Sequence, residues 1–146
     1  FSLDVVPVEG GMTARPEQLM EWMETLLDTA QGYREHGGTH AAGLFGSGGL
    51  EILAEDIGRH NTIDRIAGEA LLQDLPTQGK AILTSGRISS DMLVKCSRLG
   101  AGIAASRTSP TELAVSLAQE ANVAVCGYVR RGQLQIFHEA GRIELS

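Results

Sequence analysis

The feature that most constrains the fold is an alternation of short apolar and amphipathic segments in the second half of the chain. Ala81–Thr84, Gly102–Ser106 and Val123–Val129 are near-continuous apolar runs, which are typical of parallel strands buried on both faces. The segments between them have the helical period of about 3.6 residues. Strands alternating with helices over short links predict an α/β sheet covered by helices on both faces.

The helices are expected to start at capping residues or proline and to carry one apolar face each. The residues suited to start them are Pro16, Asn61, Ser89 or Ser90, and Ser109 followed by Pro110. Gly32 and Gly100 are suited to end the first and third helices. The expected apolar faces, in chain order, are Leu19, Trp22, Met23, Leu26, Leu27 and Ala30; Ile63, Ile66, Ala67, Ala70 and Leu71; Met92, Leu93, Cys96 and Leu99; and Leu113, Leu117, Ala118 and Ala121.

Two hairpins are predicted to extend the parallel strands into a mixed sheet. Thr39–Phe45 and Leu50–Glu55 flank a glycine-rich turn, which favours an antiparallel pair. The turn Arg130–Gly132 leads from the last parallel strand into Gln133–His138. Phe1–Val8 alternates apolar and polar residues, which predicts one more strand.

The net charge and the two cysteines limit the binding partners and the cellular compartment that the sequence predicts. The net charge of −6 argues against binding a nucleic acid polymer, and no apolar run approaches the roughly 20 residues of a membrane span. Cys96 and Cys126 form neither a CxxC motif nor a zinc-ligand spacing, and both fall at predicted buried positions. We therefore expect a reduced, cytoplasmic protein. A homodimer is compatible with the sequence, which leaves the oligomeric state open.

Three polar loops follow predicted strands at the edge where open α/β sheets bind ligands. They are Thr84–Arg87, Ser106–Ser109 and Arg130–Gly132. The first two lead into helix amino termini, whose free N–H groups suit phosphate. The residues predicted to contact phosphate there are Ser85, Arg87, Ser109 and Thr111, and Arg107 offers a further bidentate contact. Ordinary turns with solvated arginines are an equally open interpretation.

Two further clusters contain histidine. His36 and His40 flank a double glycine, and neither a cysteine pair nor a carboxylate completes a zinc set nearby, so no metal site is predicted. Glu55–Asn61 packs acid, base and amide groups into a strand-to-helix junction, which favours a functional site over a simple salt bridge and cap. His40, Arg59 and His60 are therefore the candidates for proton transfer or ligand contact.

The same stretches resemble motifs of the FdhD family, in order and spacing, from about Gly37 to His138. The junction is the most specific match, because Glu55–Asn61 with Asp64 and Arg65 is similar to EDVGRHNAxDK. The other similar segments are Gly37–Ala42 (TGGxHxA), Ser85–Ser89 with Met92 and Lys95 (SGRxS…M..K), Ser109–Val115 (APT.LAV) and Gly127–Gly132 (GF.R.GR).

The resemblance implies a function and a fold. FdhD proteins are sulfurtransferases that take persulfide sulfur from a cysteine desulfurase. They pass it to the molybdenum of bis-molybdopterin guanine dinucleotide, which formate dehydrogenase requires. The implied fold is a three-layer α/β/α sandwich with a mixed sheet, similar to cytidine deaminase. The HxE and PCxxC zinc signature of deaminases is absent from this sequence. We therefore expect neither zinc binding nor deamination. The implied guanine-binding segment is Tyr128, Val129, Arg130, Arg131, Gly132 and Gln133, where Gln133 replaces a common Arg.

One departure from the family pattern concerns the sulfur-carrying CxxC, which lies upstream of the matched region in the family and is absent here. The abrupt start at Phe1 favours truncation at the amino terminus. Residues 1–146 are then expected to form a single cofactor-binding domain, inactive alone and part of a sulfurtransferase at full length. The alternative is a non-catalytic chaperone module for the molybdenum cofactor or a nucleotide. Either function requires the histidine turn, the junction and the late arginine turn to converge around one cavity.

Overall fold

The alternating pattern produces a six-stranded mixed sheet with helices on both faces. The computed structural model describes residues 5–30 and 38–145. Its helices are α1 (Pro16–Thr29), α2 (Arg59–Gln73), α3 (Ser90–Arg98) and α4 (Glu112–Ala121). Its strands are β1 (His40–Gly46), β2 (Gly49–Asp56), β3 (Ala81–Thr84), β4 (Ile103–Ser106), β5 (Ala124–Arg130) and β6 (Gln133–His138).

The strand order is β2-β1-β3-β4-β5-β6. β3, β4 and β5 are parallel, as the apolar runs predict, and both hairpins add antiparallel pairs. β1 also runs antiparallel to β3. The predicted mixed sheet is therefore confirmed.

Successive side chains of a strand point to opposite faces of the sheet, so the strands contribute to two aliphatic cores, one on each face. On one face Leu83 and Ala105 pack with α1 residues such as Leu26. On the other face Ile82 and Ala104 pack with residues of α2, α3 and α4. This arrangement confirms the three-layer α/β/α sandwich. Within the described ranges, no helix combines the length and hydropathy needed to cross a membrane.

Two predicted helix starts are wrong in detail. Gly58 rather than Asn61 precedes α2, because the Asn61 side chain instead donates to Asp56. Thr111 rather than Ser109 caps α4, and its hydroxyl accepts an amide of the first turn. Of the two candidates for α3, Ser89 is the cap. For Asn61 a side-chain hydrogen bond outweighs the capping preference of the residue type, whereas the bridge between Ile88 and Pro110 keeps Ser109 and Pro110 outside α4.

Other corrections concern surfaces and ends. Residues 5–8 form no strand, and residues 1–4 and Gly32 lie outside the described ranges. Leu71 and Leu113 are 84% and 53% exposed, although both were assigned to apolar faces. Each is adjacent to a buried alanine, and one residue rotates about 100° around a helix, which is enough to leave the buried stripe. The last parallel strand runs from Ala124 to Arg130, not Val123 to Val129.

The side chain of Arg142 links the segment before α1 to the end of α4 through hydrogen bonds. Its side chain is buried and donates to the carbonyls of Val8, Gly10 and Asn122. Burial lowers the pKa of Arg142. A Cβ on Gly11 or on Gly102 would approach the Arg142 guanidinium, so both glycines leave room for it.

Replacing Arg142 by Ala should lower the free energy of unfolding by about 3 kcal/mol, because buried carbonyls would lose a charged donor. Urea denaturation followed by circular dichroism measures this change. Arg98→Ala is the matched control, since Arg98 is exposed on α3, and it should change the free energy by less than about 0.5 kcal/mol. Equal losses in the two variants would contradict the assigned role.

Candidate functional site

The antiparallel pairing of β1 with β2 and β3 brings distant polar stretches to one edge of the sheet. His40 opens β1 opposite Asp56, the last residue of β2, and Ala42 pairs with the last residue of β3. The Ala41 amide donates to the Ser85 hydroxyl over 2.9 Å. This edge also contains the carboxyl ends of the parallel strands, where α/β sheets bind ligands.

Gly86 is the point at which these stretches meet. A Cβ on Gly86 would lie 3.1 Å from His40 Nδ1 and 3.2 Å from Arg59 Cβ. A side chain at this position would therefore push His40 and Arg59 apart. The structure places both predicted residues around the same glycine, which we call the Gly86 site.

Asp56 organises the junction between β2 and α2. Its carboxylate accepts the Gly58 amide at 3.0 Å, the Asn61 amide group at 3.3 Å and Arg65 Nε at 2.7 Å. The Gly58 amide, followed by Arg65 and Asn61, lowers the pKa of Asp56 to about 2. The salt bridge considered from sequence therefore forms with Arg65, and Arg59 is not among the hydrogen-bond partners of this carboxylate.

His60 is held by the start of α3. Its Nε2 lies 2.9 Å from Ser89 Oγ, and the same hydroxyl oxygen accepts the Met92 amide at 3.3 Å. Because Ser89 Oγ already accepts one hydrogen bond, its own hydrogen is available for His60 Nε2. When Ser89 donates in this way, Nε2 is the acceptor and the ring hydrogen of His60 lies on Nδ1.

The last residues of β3 and β4 support the Gly86 site through side-chain hydrogen bonds. Thr84 Oγ1 accepts the Gly86 amide at 3.1 Å, and the Ser106 hydroxyl donates to the Gly86 carbonyl at 2.6 Å. Ser106 Oγ also accepts the Thr108 amide at 2.9 Å. These bonds fix the backbone of Gly86 from two neighbouring strands.

The four residues predicted to contact phosphate occupy unlike settings. Ser85 is buried and bonded to β1, while Arg87 is exposed. The Ser109 carbonyl accepts the Ile88 amide at 3.3 Å, and the Thr111 hydroxyl caps α4. Ser85 and Thr111 thus have structural partners, and phosphate contact by any of the four stays a prediction.

The late arginine turn lies at the same edge, beside α1. Arg130 is the last residue of β5, and Gly132 has a φ of +85°, which suits glycine in the turn. Arg131 Nε donates to Glu24 of α1 over 2.8 Å. A cavity of about 200 Å³ is lined by Met20, Met23, Glu24, Leu27, Arg107, Val129, Arg130 and Arg131.

The remaining residues of the predicted guanine segment differ in exposure. Tyr128 is 41% exposed, with its ring 6.4 Å from that of Phe137, so one aromatic surface is accessible. Val129 is fully buried, which leaves only its backbone for a ligand, and Gln133 is exposed. Arg107, for which the sequence offers a bidentate contact with phosphate, lines the cavity, and phosphate contact by Arg107 stays a prediction.

The structure brings two of the three stretches together at one glycine, and the convergence of all three around one cavity stays a prediction. His40 and the junction meet at Gly86, whereas the lining of the arginine cavity includes none of His40, Arg59 and His60. His36 lies outside the described residues. Sequence reasoning used Ser89 only as a cap and missed that it also holds His60, although the two occur in adjacent matched motifs.

Both cysteines are unsuited to nucleophilic chemistry. Cys96 and Cys126 are buried free thiols, and burial raises the pKa of each to about 12. The thiolate is the reactive form, so neither sulfur is reactive at neutral pH. Across residues 5–30 and 38–145, no three His, Cys, Asp or Glu side chains are grouped as metal ligands.

Comparison with known protein families places the chain. A family model described as the FdhD/NarQ family matches residues 2–144. The chain belongs to the FdhD/NarQ family. It is 39% identical over 131 residues to the sulfur carrier protein FdhD of Halalkalibacterium halodurans, covering 90% of this chain and 48% of the relative.

The Listeria monocytogenes serotype 4b protein of the same name is 39% identical over 142 residues, covering 97% of this chain and 54% of the relative. The chain thus spans about half the length of these FdhD relatives.

Solved structures agree with the family and the fold. A candidate formate dehydrogenase accessory protein from Desulfotalea psychrophila superposes with a TM-score of 0.88 and 30% identity, covering 97% of this chain and 61% of that one. A diaminohydroxyphosphoribosylaminopyrimidine deaminase/5-amino-6-(5-phosphoribosylamino)uracil reductase from Thermotoga maritima superposes with a TM-score of 0.56 and 11% identity, covering 78% of this chain and 37% of that one. The second likeness confirms the deaminase-like fold alone.

Asp56→Asn should remove a pH-dependent part of the stability. The pKa of Asp56 falls from 3.8 to about 2 in the folded protein, so its carboxylate stabilises the fold above about pH 4. That contribution is lost as the pH falls toward 2. Scanning calorimetry should show a higher Tm for the wild type near pH 6 and converging values toward pH 2. A constant difference, or the same behaviour in the exposed control Glu120→Gln, would refute the prediction.

Ser89→Ala should change the tautomer of His60. Nitrogen-15 NMR of the imidazole should show Nδ1 protonated in the wild type and mainly Nε2 protonated in the variant, because the hydroxyl donor is gone. Ser90→Ala, one residue along, should leave the His60 signals unchanged. Identical spectra for wild type and Ser89→Ala would contradict the assigned hydrogen bond.

Proposed function

We propose that this chain forms the cofactor-binding domain of a sulfur carrier that serves formate dehydrogenase. The observation that carries the proposal is the convergence of His40 and Arg59 on Gly86, with His60 held close by. Family membership and the names of the relatives support it. In the proposal the sulfur donor is a cysteine desulfurase, and the acceptor is bis-molybdopterin guanine dinucleotide, bound as a substrate.

The geometry fits such a substrate in two places. The arginine cavity combines apolar side chains with guanidinium groups, which suits a flat ring bearing anionic groups. Tyr128 offers an exposed aromatic surface for guanine. His40, Arg59 and His60 provide an imidazole and a cation at the adjoining edge, where they can stabilise an anionic sulfur or phosphate group.

Sulfur transfer needs a thiolate outside the pair present here. The thiolate attacks the outer sulfur of the donor persulfide, a new S–S bond forms as the old one breaks, and the donor thiolate leaves. A second thiol then attacks the inner sulfur of the carrier persulfide, the S–S bond to the outer sulfur breaks as a disulfide forms, and the outer sulfur leaves as sulfide for molybdenum. Cys96 and Cys126 are buried with raised pKa values, so in our proposal a different cysteine carries the persulfide. His60 assists by exchanging a proton at Nε2.

A non-catalytic chaperone that only holds the cofactor is the alternative, and the burial of both cysteines favours it. Transfer of radioactive sulfur distinguishes the two functions. A sulfur carrier acquires label from a cysteine desulfurase and passes it to the cofactor, whereas a chaperone binds the cofactor without acquiring label. A cytoplasmic location and a homodimer stay predictions under either function.

The complete coding region that contains these residues should restore formate dehydrogenase activity in a bacterium lacking its own FdhD-family protein. His60→Ala should reduce that activation at least about tenfold, because the group proposed to move a proton is gone. Ser90→Ala should activate normally. Normal activation by a folded His60→Ala protein would refute the role of His60, and failure of the wild type would refute the function.

A further inference from the structure

Two buried polar atoms have no hydrogen-bond partner within the described residues, and both lie at the edge of the sheet that contains the Gly86 site. They are Arg59 Nε and Thr39 Oγ1. A buried donor left unpaired destabilises the fold, so folded proteins rarely retain one without a reason. Thr39 precedes His40 in the chain, and His40 and Arg59 flank Gly86. Both unpaired atoms therefore belong to the same region as the Gly86 site.

The carboxylate that organises the junction forms no ion pair with Arg59. Asp56 is engaged by Gly58, Asn61 and Arg65. Across residues 5–30 and 38–145, the ion pairs found do not include Arg59. A half-buried guanidinium without a carboxylate partner attracts an external anion.

The remaining hydroxyls at this edge have internal partners. Ser85 accepts an amide of β1, Thr84 accepts the Gly86 amide, and Ser106 bonds both the Gly86 carbonyl and Thr108. These groups build the support of the site, while Arg59 and Thr39 have donors to spare. The donor set left for a ligand is thus a guanidinium and a hydroxyl, with the His40 imidazole beside them.

We propose that Arg59, Thr39 and His40 bind a phosphate group of the nucleotide-bearing substrate. The inference rests on the proposed function and names the part of the ligand that this site takes. Guanidinium and hydroxyl donors match the several lone pairs of a phosphate better than the single diffuse charge of a thiolate. The phosphate role predicted for Ser85 and Thr111 then passes to Arg59 and Thr39.

The distance to the predicted guanine segment is compatible with one ligand. β3, which leads into Gly86, and β5, which carries Tyr128, are separated only by β4. Neighbouring strands lie about 4.8 Å apart, so the backbones of β3 and β5 are roughly 10 Å apart across the sheet. An extended guanosine diphosphate spans such a distance, with its guanine at Tyr128 and its phosphates at Arg59.

The test is an NMR titration of the protein with inorganic phosphate, with GDP and with sodium sulfide, following the Arg59 Nε–H and the His40 ring. Phosphate and GDP should each produce saturable shifts of Arg59 Nε. Arg59→Gln should weaken GDP binding about tenfold and Thr39→Val by a smaller factor, whereas Arg59→Lys should retain part of the affinity. Arg98→Gln, an exposed arginine on α3, is the control and should bind as the wild type does. Thermal denaturation establishes that each variant is folded.

The outcomes separate this inference from the proposed function. GDP binding that leaves Arg59 Nε unshifted and is unaffected by Arg59→Gln would overturn the phosphate site while leaving the sulfur-carrier function intact. Shifts produced by sulfide alone, or by none of the three probes, would also overturn it. Phosphate binding at Arg59 in a protein that fails to restore formate dehydrogenase would support the anion site and refute the function.

Discussion

The register between β1 and β3 is the constraint on which the site depends. β1 runs antiparallel to β3 with Ala42 opposite Thr84, so the start of β1 lies beside the end of β3. The bond from the Ala41 amide to Ser85 Oγ continues this pairing beyond the strand. Because β2 folds back along β1, its last residue, Asp56, reaches the same edge. A shift of one residue would reverse the facing of every β1 side chain and remove His40 from Gly86.

The layers of the fold follow from local patterns, and the sequence predicts them well. The short apolar runs become β3, β4 and β5, because parallel strands buried on both faces need continuous apolar residues. The prediction of a helix start fails where a side chain can form more than one hydrogen bond. Asn61 bonds the organised Asp56 carboxylate rather than capping a helix, and no periodicity in the sequence reveals that choice. Leu71 is exposed because helical spacing alone does not distinguish the rim of a buried stripe from its centre.

The residues of the candidate site could be predicted from the sequence, but their arrangement in space could not. His40, Arg59 and His60 were recognised from residue type and density, and the fold brings His40 and Arg59 to one glycine. The need for glycine at position 86 could not be predicted, since it depends on two side chains distant in sequence. The dual role of Ser89, as helix cap and partner of His60, likewise emerges only when α2 and α3 are packed together.

We propose that one edge of this sheet binds a guanine nucleotide through two separated groups of residues. A crystal structure of the protein with GDP shows where the nucleotide lies. Phosphate oxygens within hydrogen-bond distance of Arg59, with guanine against Tyr128 or the arginine cavity, are the expected result. A nucleotide bound at the opposite edge of the sheet, or contacting neither group, would refute the proposal.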